Sequence, residues 1–183
     1  MGTQKQLLLL GDRSVIRRCV DTVLDSGFQN VVVVVNGDGK RIVEALTGLA
    51  VSIVRNEAPD SQMADSVRVG LRALDDRFSG VLVCLSDHPL VAPETFRTLI
   101  EAHHRGPDGI VIPCHAGRRG HPALFSRTIL NEILSGGTLK DIIRKDERRV
   151  QSIEVEDEGV LLDMDTDEDY QRAREMFARQ SGL

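Results

Sequence analysis

The feature that most constrains the fold of this chain is an apolar segment that ends at an acidic residue and a proline. Residues 81–85 are uninterrupted apolar residues, and Asp87 and Pro89 follow within four positions. Such a run is typical of a strand buried on both faces of a parallel sheet that helices cover. Pro89 cannot continue a strand ladder, so the chain must turn there. Asp87 is therefore predicted at the carboxyl edge of a central strand, where open α/β sheets bind their ligands.

Strand and helix patterns alternate along the rest of the chain. Apolar residues recur at helical spacing between Ser14 and Ser26, and the β-branched run Val31–Val35 follows as a strand. The alternation continues to a helix predicted from about residue 167 to residue 178. Since no linker or internal repeat interrupts it, residues 1–183 are predicted to form one domain. The pattern predicts an α/β fold, a three-layer α/β/α sandwich.

Composition excludes several classes of partner. A net charge of −5 leaves no basic excess for nucleic-acid phosphates, although a local positive pocket is enough for a small anionic ligand. No apolar run approaches the length of a membrane span. The three cysteines are widely spaced and lack zinc-type pairing, which predicts reduced thiols and a cytoplasmic location.

A second acidic cluster, residues 163–169, also follows apolar residues. Two carboxylates at neighbouring strand ends can share a divalent cation, and Mg²⁺ is the hard, oxygen-ligated ion that fits best. The sequence leaves an alternative open for each cluster. Asp87 can instead cap a helix that starts near Ala92, and the later acids can instead favour the first turn of a helix through its dipole.

Other polar residues have simple structural readings if only their sequence neighbours are considered. Lys5 reads as a solvated terminal lysine, and Arg118 with Arg119 reads as a solvated loop pair. His121 precedes Pro122, and its simplest structural role is to brace a turn.

Several short motifs together resemble the MobA-like nucleotidyltransferases, most closely the molybdenum-cofactor cytidylyltransferase branch. They occur in that family's order across essentially the whole chain. The matching segments are Met1–Leu8, the set Asn56, Met63, Ser66, Arg68 and Gly70, then CLSDHPLV at 84–91, GRRGHP at 117–122 and DMDTDEDY at 163–170. The resemblance implies a Rossmann-like nucleotide-diphospho-sugar transferase fold with a mostly parallel sheet.

The resemblance also implies an activity, the transfer of a nucleoside monophosphate from an NTP to a phosphorylated acceptor with release of pyrophosphate. In that reading Asp87 is catalytic and holds Mg²⁺ together with Asp165. Lys5 is catalytic and neutralises the bound triphosphate. Because two anions must be brought together, charge neutralisation and positioning carry most of the catalysis.

The resemblance further assigns residues and partners to each side of the reaction. Asn56 and Ser66 would bind the nucleotide, with CTP the first choice and GTP the second. Arg118, Arg119 and His121 would bind the acceptor, for which molybdopterin is the first choice. A molybdoenzyme or its maturation chaperone is a further expected partner. The alternative is a catalytically impaired protein that binds nucleotide or cofactor in molybdoenzyme maturation.

The chain departs from the family pattern at its front. The family begins with a buried central strand and a Gly-rich, phosphate-cradling loop just before the Met-Gly that is residues 1–2 here, and the sequence as given has neither. The expectation is that Met1 is an internal methionine; a degenerate relative, or a gap filled by another segment or chain, are the alternatives. Without that strand, two strand edges are predicted to be unpaired. Gln62 also replaces a usual glycine.

Overall fold

Helices and strands alternate through the residues that the computed structural model describes, 5–37, 39–106 and 108–181. The α-helices are α1 (Val15–Asp25), α2 (Lys40–Ala45), α3 (Met63–Ala73), α4 (Pro93–Arg105), α5 (Arg127–Leu130), α6 (Leu139–Lys145) and α7 (Asp167–Ser181). The strands are β1 (Leu9–Leu10), β2 (Arg13–Ser14), β3 (Val32–Asn36), β4 (Ser52–Asn56), β5 (Gly80–Val83), β6 (Ile110–His115), β7 (Arg118–Arg119), β8 (Ala123–Ser126) and β9 (Val150–Glu154). Short 3₁₀ turns cover Lys5–Leu7, Asn131–Ser135, Glu147–Arg149 and Glu158–Leu161. In the described ranges, none of the helices has both the length and the apolar character to cross a membrane.

The predicted α/β class is confirmed, but the sheet is mixed rather than mostly parallel: among the described strands, only β3–β4 and β6–β9 pair in parallel. β6 pairs in parallel with β9 and antiparallel with β7 and β8, and β8 continues the sheet to β5. β3 and β4 form a separate parallel pair, and β1 and β2 a small hairpin. The antiparallel part arises because the chain turns back after β6 through β7 and re-enters the sheet as β8. The sequence pattern did not reveal β8, since its four residues adjoin a predicted helix.

Alternate residues along the strands face two helical layers, as the side-chain period of a strand requires. Ile110 and Ile112 of β6 pack with α3, α5 and α6, whereas Val111 between them packs with α4. Leu82 of β5 likewise faces α4. On the second sheet, Val33 packs against α1 and α2. The sandwich therefore has α3, α5 and α6 on one face and α1, α2 and α4 on the other.

The two sheets lie side by side without a strand between them. Among the described residues, β3 pairs only with β4, and β5 pairs only with β8, so each has an edge without a strand partner. Val31, just before β3, and Leu82 on β5 pack into the same cluster as Val23 of α1. The predicted pair of unpaired edges is thus present. The open edges leave Val32–Val34 only half-buried and Cys84 exposed.

β5 ends earlier than the sequence predicts. Its ladder with β8 stops at the pair Val83–Ala123, because Pro122 precedes Ala123 and cannot donate a backbone hydrogen bond. Cys84–Asp87 therefore continues as loop rather than strand. Asp87 still lies beyond the carboxyl end of β5, as expected.

His103 on α4 makes folding sensitive to acid. Its side chain is buried, only 4% exposed, and within the described ranges neither ring nitrogen has a hydrogen-bond partner. Burial lowers the pKa of His103; the neighbouring His104 adds to this shift and Asp108 opposes it. Since the unfolded chain then binds a proton more readily, stability is lost as the pH falls through about 6.5.

We expect His103→Phe to flatten the fall in unfolding free energy between pH 7.5 and pH 5.5, measured by urea denaturation at each pH. A single histidine contributes a slope of up to about 1.4 kcal/mol per pH unit. Arg105→Gln is the matched control, because Arg105 is exposed on the same helix and is not among the groups that shift the pKa of His103. Equal pH profiles for His103→Phe and the unsubstituted protein would show that His103 is not the group responsible.

Candidate functional site

The structure places one lysine between the two carboxylates that the sequence singles out. Lys5 Nζ donates a hydrogen bond to Oδ2 of Asp87 at 3.0 Å and another to Oδ1 of Asp165. Lys5 and Asp87 side chains are largely buried, at 26% and 20% exposed, while that of Asp165 is 65% exposed. The reading of Lys5 as a merely solvated lysine is therefore wrong, because residues 82 and 160 positions away enclose its ammonium.

This environment stabilises the protonated, positively charged form of Lys5. Burial lowers the pKa of Lys5, but its hydrogen bonds to Asp165 and Asp87, and the negative charges of both, raise it by more. The net pKa lies above the ordinary lysine value, so the group is an ammonium at neutral pH. Asp87 Oδ1 is buried and has no hydrogen-bond partner among the described residues.

Asp87 does not cap the helix that follows it, so that alternative is wrong. The N-cap of α4 is Ala92, and the carboxylate that accepts its backbone N–H is Asp157, at 2.8 Å. Asp157 also accepts the Thr95 hydroxyl at 2.6 Å and the Gly159 N–H at 3.0 Å. The carbonyl of Leu90 lies where a Cβ at position 159 would stand. Residues 157–159 therefore clamp the loop that carries Asp87.

The later acids divide into two groups. The first turn of α7 contains Asp167, Glu168 and Asp169, whose negative charges interact favourably with the helix dipole. Asp169 accepts hydrogen bonds from the backbone and hydroxyl of Thr166. Asp165 precedes that helix and faces Lys5 instead. The first-turn reading therefore applies to residues 167–169 and not to Asp165.

His121 lies beside a histidine that the sequence analysis did not single out, His88. Their rings meet edge to face, with centroids 5.2 Å apart. Burial lowers the pKa of both imidazoles; the charge of Asp87 opposes this shift in each. His121 also donates its backbone N–H to the Val160 carbonyl at 2.9 Å, which ties the GRRGHP loop to the segment before Asp165.

Asn56 and Ser66 meet at the ends of the β3–β4 pair. Asn56 is buried and donates its side-chain amide to Ser66 Oγ at 3.2 Å, and the Ser66 hydroxyl donates to Asn36 Oδ1 at 3.2 Å. Asn36 and Asn56 are direct partners in the strand register. The sequence analysis does not single out Asn36, although its position at the end of the apolar run Val31–Val35 is visible in the sequence. The neighbouring Asp38 lies outside the described residues.

The two arginines of the GRRGHP loop do not act as a pair. They form β7, opposite His115 and Cys114 of β6, so successive side chains point to opposite faces. Arg119 donates to Ser152 Oγ at 3.0 Å and to Glu147 at 3.0 Å. Both side chains are exposed, and Arg118 has no such ion pair with any residue that the structure describes.

The residues present fit a magnesium ion that has only two protein carboxylates as ligands. Within the described ranges no group of three or more His, Cys, Asp or Glu side chains is placed to hold a metal. Asp87 and Asp165 nevertheless both contact the Lys5 ammonium, and a buried oxygen of Asp87 has no partner in the part of the chain that the structure describes. Mg²⁺ is commonly bound by one or two carboxylates with waters and substrate phosphates completing its shell. This pair satisfies that requirement.

Comparison with known proteins gives consistent matches. A family model for the MobA-like NTP transferase domain matches residues 1–152. The molybdenum cofactor cytidylyltransferase of Escherichia coli (strain K12) is 23% identical over 168 residues, 85% of this chain and 83% of that protein. The bifunctional protein GlmU of Mycobacterium avium (strain 104) is 33% identical over 108 residues, 55% of this chain. This chain spans only 22% of the length of that GlmU.

Solved structures give a similar result. Rv0371c from Mycobacterium tuberculosis H37Rv matches with a TM-score of 0.83 and 32% identity, over 96% of this chain and 90% of that chain. A manganese complex of Rv0371c matches with a TM-score of 0.79 and 31% identity, over 93% of this chain and 91% of that chain. The metal-bound relative is thus similar to this chain across nearly its whole length.

Proposed function

Because the chain belongs to the MobA-like NTP transferase family, we propose that it is a nucleotidyltransferase that transfers CMP from CTP to a phosphorylated acceptor, with molybdopterin the first choice. GTP is the second choice of donor. The observation that carries the proposal is the convergence of Lys5, Asp87 and Asp165 at one point. The cytidylyltransferase relative supports the choice of donor and acceptor.

The reaction needs few groups. An oxygen of the acceptor phosphate attacks the α-phosphorus of the NTP, a new P–O–P linkage forms, and the bond to the β-phosphate breaks to release pyrophosphate. The attacking oxygen is already anionic, so no general base is required. Bound Mg²⁺, held by Asp87 and Asp165, would supply positive charge to the phosphates. Lys5 supplies a mobile positive charge from the protein itself.

The remaining residues divide between the two substrates. Asn56 and Ser66, linked to each other and to Asn36, orient the nucleotide at the ends of β3 and β4. His121 faces the acceptor beside the loop of Asp87. Arg118 is the stronger of the two arginine candidates for the acceptor phosphate, because Arg119 would first have to leave Glu147. A molybdoenzyme or its maturation chaperone would receive the product in the cytoplasm.

The proposal is tested first by thermal denaturation of the full chain with Mg²⁺ and each of CTP, GTP, ATP and UTP. A nucleotide at about 100 times its Kd adds about 2.7 kcal/mol of stability, which raises the Tm of a domain of this size by roughly 5–10 °C. We expect the largest rise with CTP. No rise with any nucleotide would contradict the proposal.

Pyrophosphate release then identifies the acceptor, with molybdopterin compared against sugar phosphates. Release with molybdopterin alone supports the acceptor named here, and release with a sugar phosphate alone replaces it.

A second candidate function is a nucleotide-binding partner protein without turnover. The Lys5 ammonium lies between the two carboxylates that would hold the metal ion, which favours this second function. Stabilisation by nucleotide, with no release of pyrophosphate in the presence of any acceptor, would establish it.

A further inference from the structure

Asp87 and Asp165 share a cation that belongs to the protein itself. Both carboxylates accept hydrogen bonds from the single Nζ of Lys5, at 3.0 Å in the case of Asp87. Two carboxylates that face the same point repel each other unless a positive charge lies between them. The Lys5 ammonium provides that charge in the structure described here.

An ammonium and a divalent cation cannot both occupy the point between the two carboxylates where Lys5 Nζ lies. Mg²⁺ binds carboxylate oxygens at about 2.0–2.1 Å and needs near-octahedral room, whereas an ammonium hydrogen bond is about 2.8 Å long. Lys5 Nζ contacts Asp87 Oδ2 and Asp165 Oδ1, so an ion that bridges the two carboxylates at these oxygens has to displace it. The like charges of the ammonium and the metal ion add repulsion to this steric conflict.

We propose that Lys5 is an internal counter-ion that holds the Asp87–Asp165 pair until a divalent cation replaces it, and that its release toward the nucleotide phosphates couples cation binding to nucleotide binding. The inference rests on the proposed function for the identity of the second anion. The lysine side chain is long and retains partial exposure, so its ammonium can swing between two anionic partners that lie close together.

The coupling has a definite sign. A cation that binds alone must displace Lys5 from both carboxylates without giving it a new partner, so cation affinity is low. A bound triphosphate offers Lys5 a new partner and removes that penalty. By thermodynamic reciprocity the cation raises nucleotide affinity by the same factor.

The test is a titration of nucleotide-free protein with Mn²⁺, followed by electron paramagnetic resonance of the free ion. We expect Lys5→Met to bind Mn²⁺ about tenfold more tightly than the unsubstituted protein, because the competing ammonium is gone. Lys5→Arg retains the charge and should keep the weak affinity. Lys145→Met is the matched control, since Lys145 pairs with Glu132 rather than with Asp87 or Asp165.

Weaker or unchanged Mn²⁺ binding in Lys5→Met would overturn the inference, and so would equal tightening in Lys5→Arg. A second arm measures the Kd of α,β-methylene-CTP with and without saturating Mn²⁺. The Kd without Mn²⁺ divided by the Kd with Mn²⁺ should be larger in the unsubstituted protein than in Lys5→Met. Equal ratios in the two proteins would overturn the coupling. Lys5→Met can bind Mn²⁺ more tightly while neither the unsubstituted protein nor any variant releases pyrophosphate. That result would leave Lys5 as the counter-ion and reject the proposed function instead.

Discussion

Asp87→Asn should leave the protein folded and lower the rate of pyrophosphate release on the order of 10³-fold, the usual effect of removing one preorganised electrostatic group from an active site. The substitution keeps the size of the side chain but removes the negative charge that Lys5 and the proposed Mg²⁺ share. Asp87 Oδ1 has no hydrogen-bond partner among the described residues, so no donor loses its acceptor at that atom. The measurement is steady-state release of pyrophosphate from CTP with a molybdopterin acceptor.

Asp76→Asn is the matched control for this experiment. It makes the same change of carboxylate to amide at a side chain that is 93% exposed, in a surface ion pair with Arg127. Activity and Tm should both stay close to those of the unsubstituted protein. Retained activity in Asp87→Asn, with its fold verified by circular dichroism, would remove Asp87 from the proposed mechanism.

Asp157→Ala should cause the largest loss of stability, about 3 kcal/mol, which lowers the Tm on the order of 10 °C. The side chain is buried and accepts hydrogen bonds from the Ala92 N–H, the Thr95 hydroxyl and the Gly159 N–H. Alanine leaves these donors without an acceptor, and the Thr95 hydroxyl is itself buried. The Ala92 N–H lies at the N-cap position of α4, so one of the lost hydrogen bonds lies at the start of that helix.

Urea denaturation measures this effect, and two further variants bracket it. Asp157→Asn retains one acceptor oxygen and should lose an intermediate amount of stability. Glu158→Ala removes the adjacent exposed acid, which pairs with Arg179, and should change stability by less than about 1 kcal/mol. A midpoint for Asp157→Ala equal to that of Glu158→Ala would show that the clamp on the Asp87 loop contributes nothing.

Local patterns in the sequence were enough to predict the fold class and the position of Asp87. A continuous apolar run followed by Asp87 and Pro89 depends only on neighbouring residues, and the structure places that aspartate beyond β5 as expected. β8 could not be predicted in the same way. Its pairing partners lie on β5 and β6, so its strand character comes from tertiary contacts rather than from its own short pattern.

The candidate site shows the same division. The resemblance singled out Lys5, Asp87 and Asp165, but their hydrogen bonds join residues up to 160 positions apart, and nothing in the local sequence specifies them. Asp157 was missed because one acid in an acidic segment carries no sign of which distant helix it caps. The roles of Asn56, Ser66, Arg118, Arg119 and His121 in binding remain predictions.

The interruption of the sheet between β3 and β5 also bears on how the protein fluctuates. Across that boundary the described residues are joined by side-chain packing through α1 and α3, without a ladder of backbone hydrogen bonds to propagate order. We expect units joined in this way to open separately, at free energies below that of global unfolding. Asn36 and Asn56 belong to one unit and Asp87 to the other. The two halves of the candidate site therefore come into register only while both units are closed, and a ligand that touches both halves would favour that closed state.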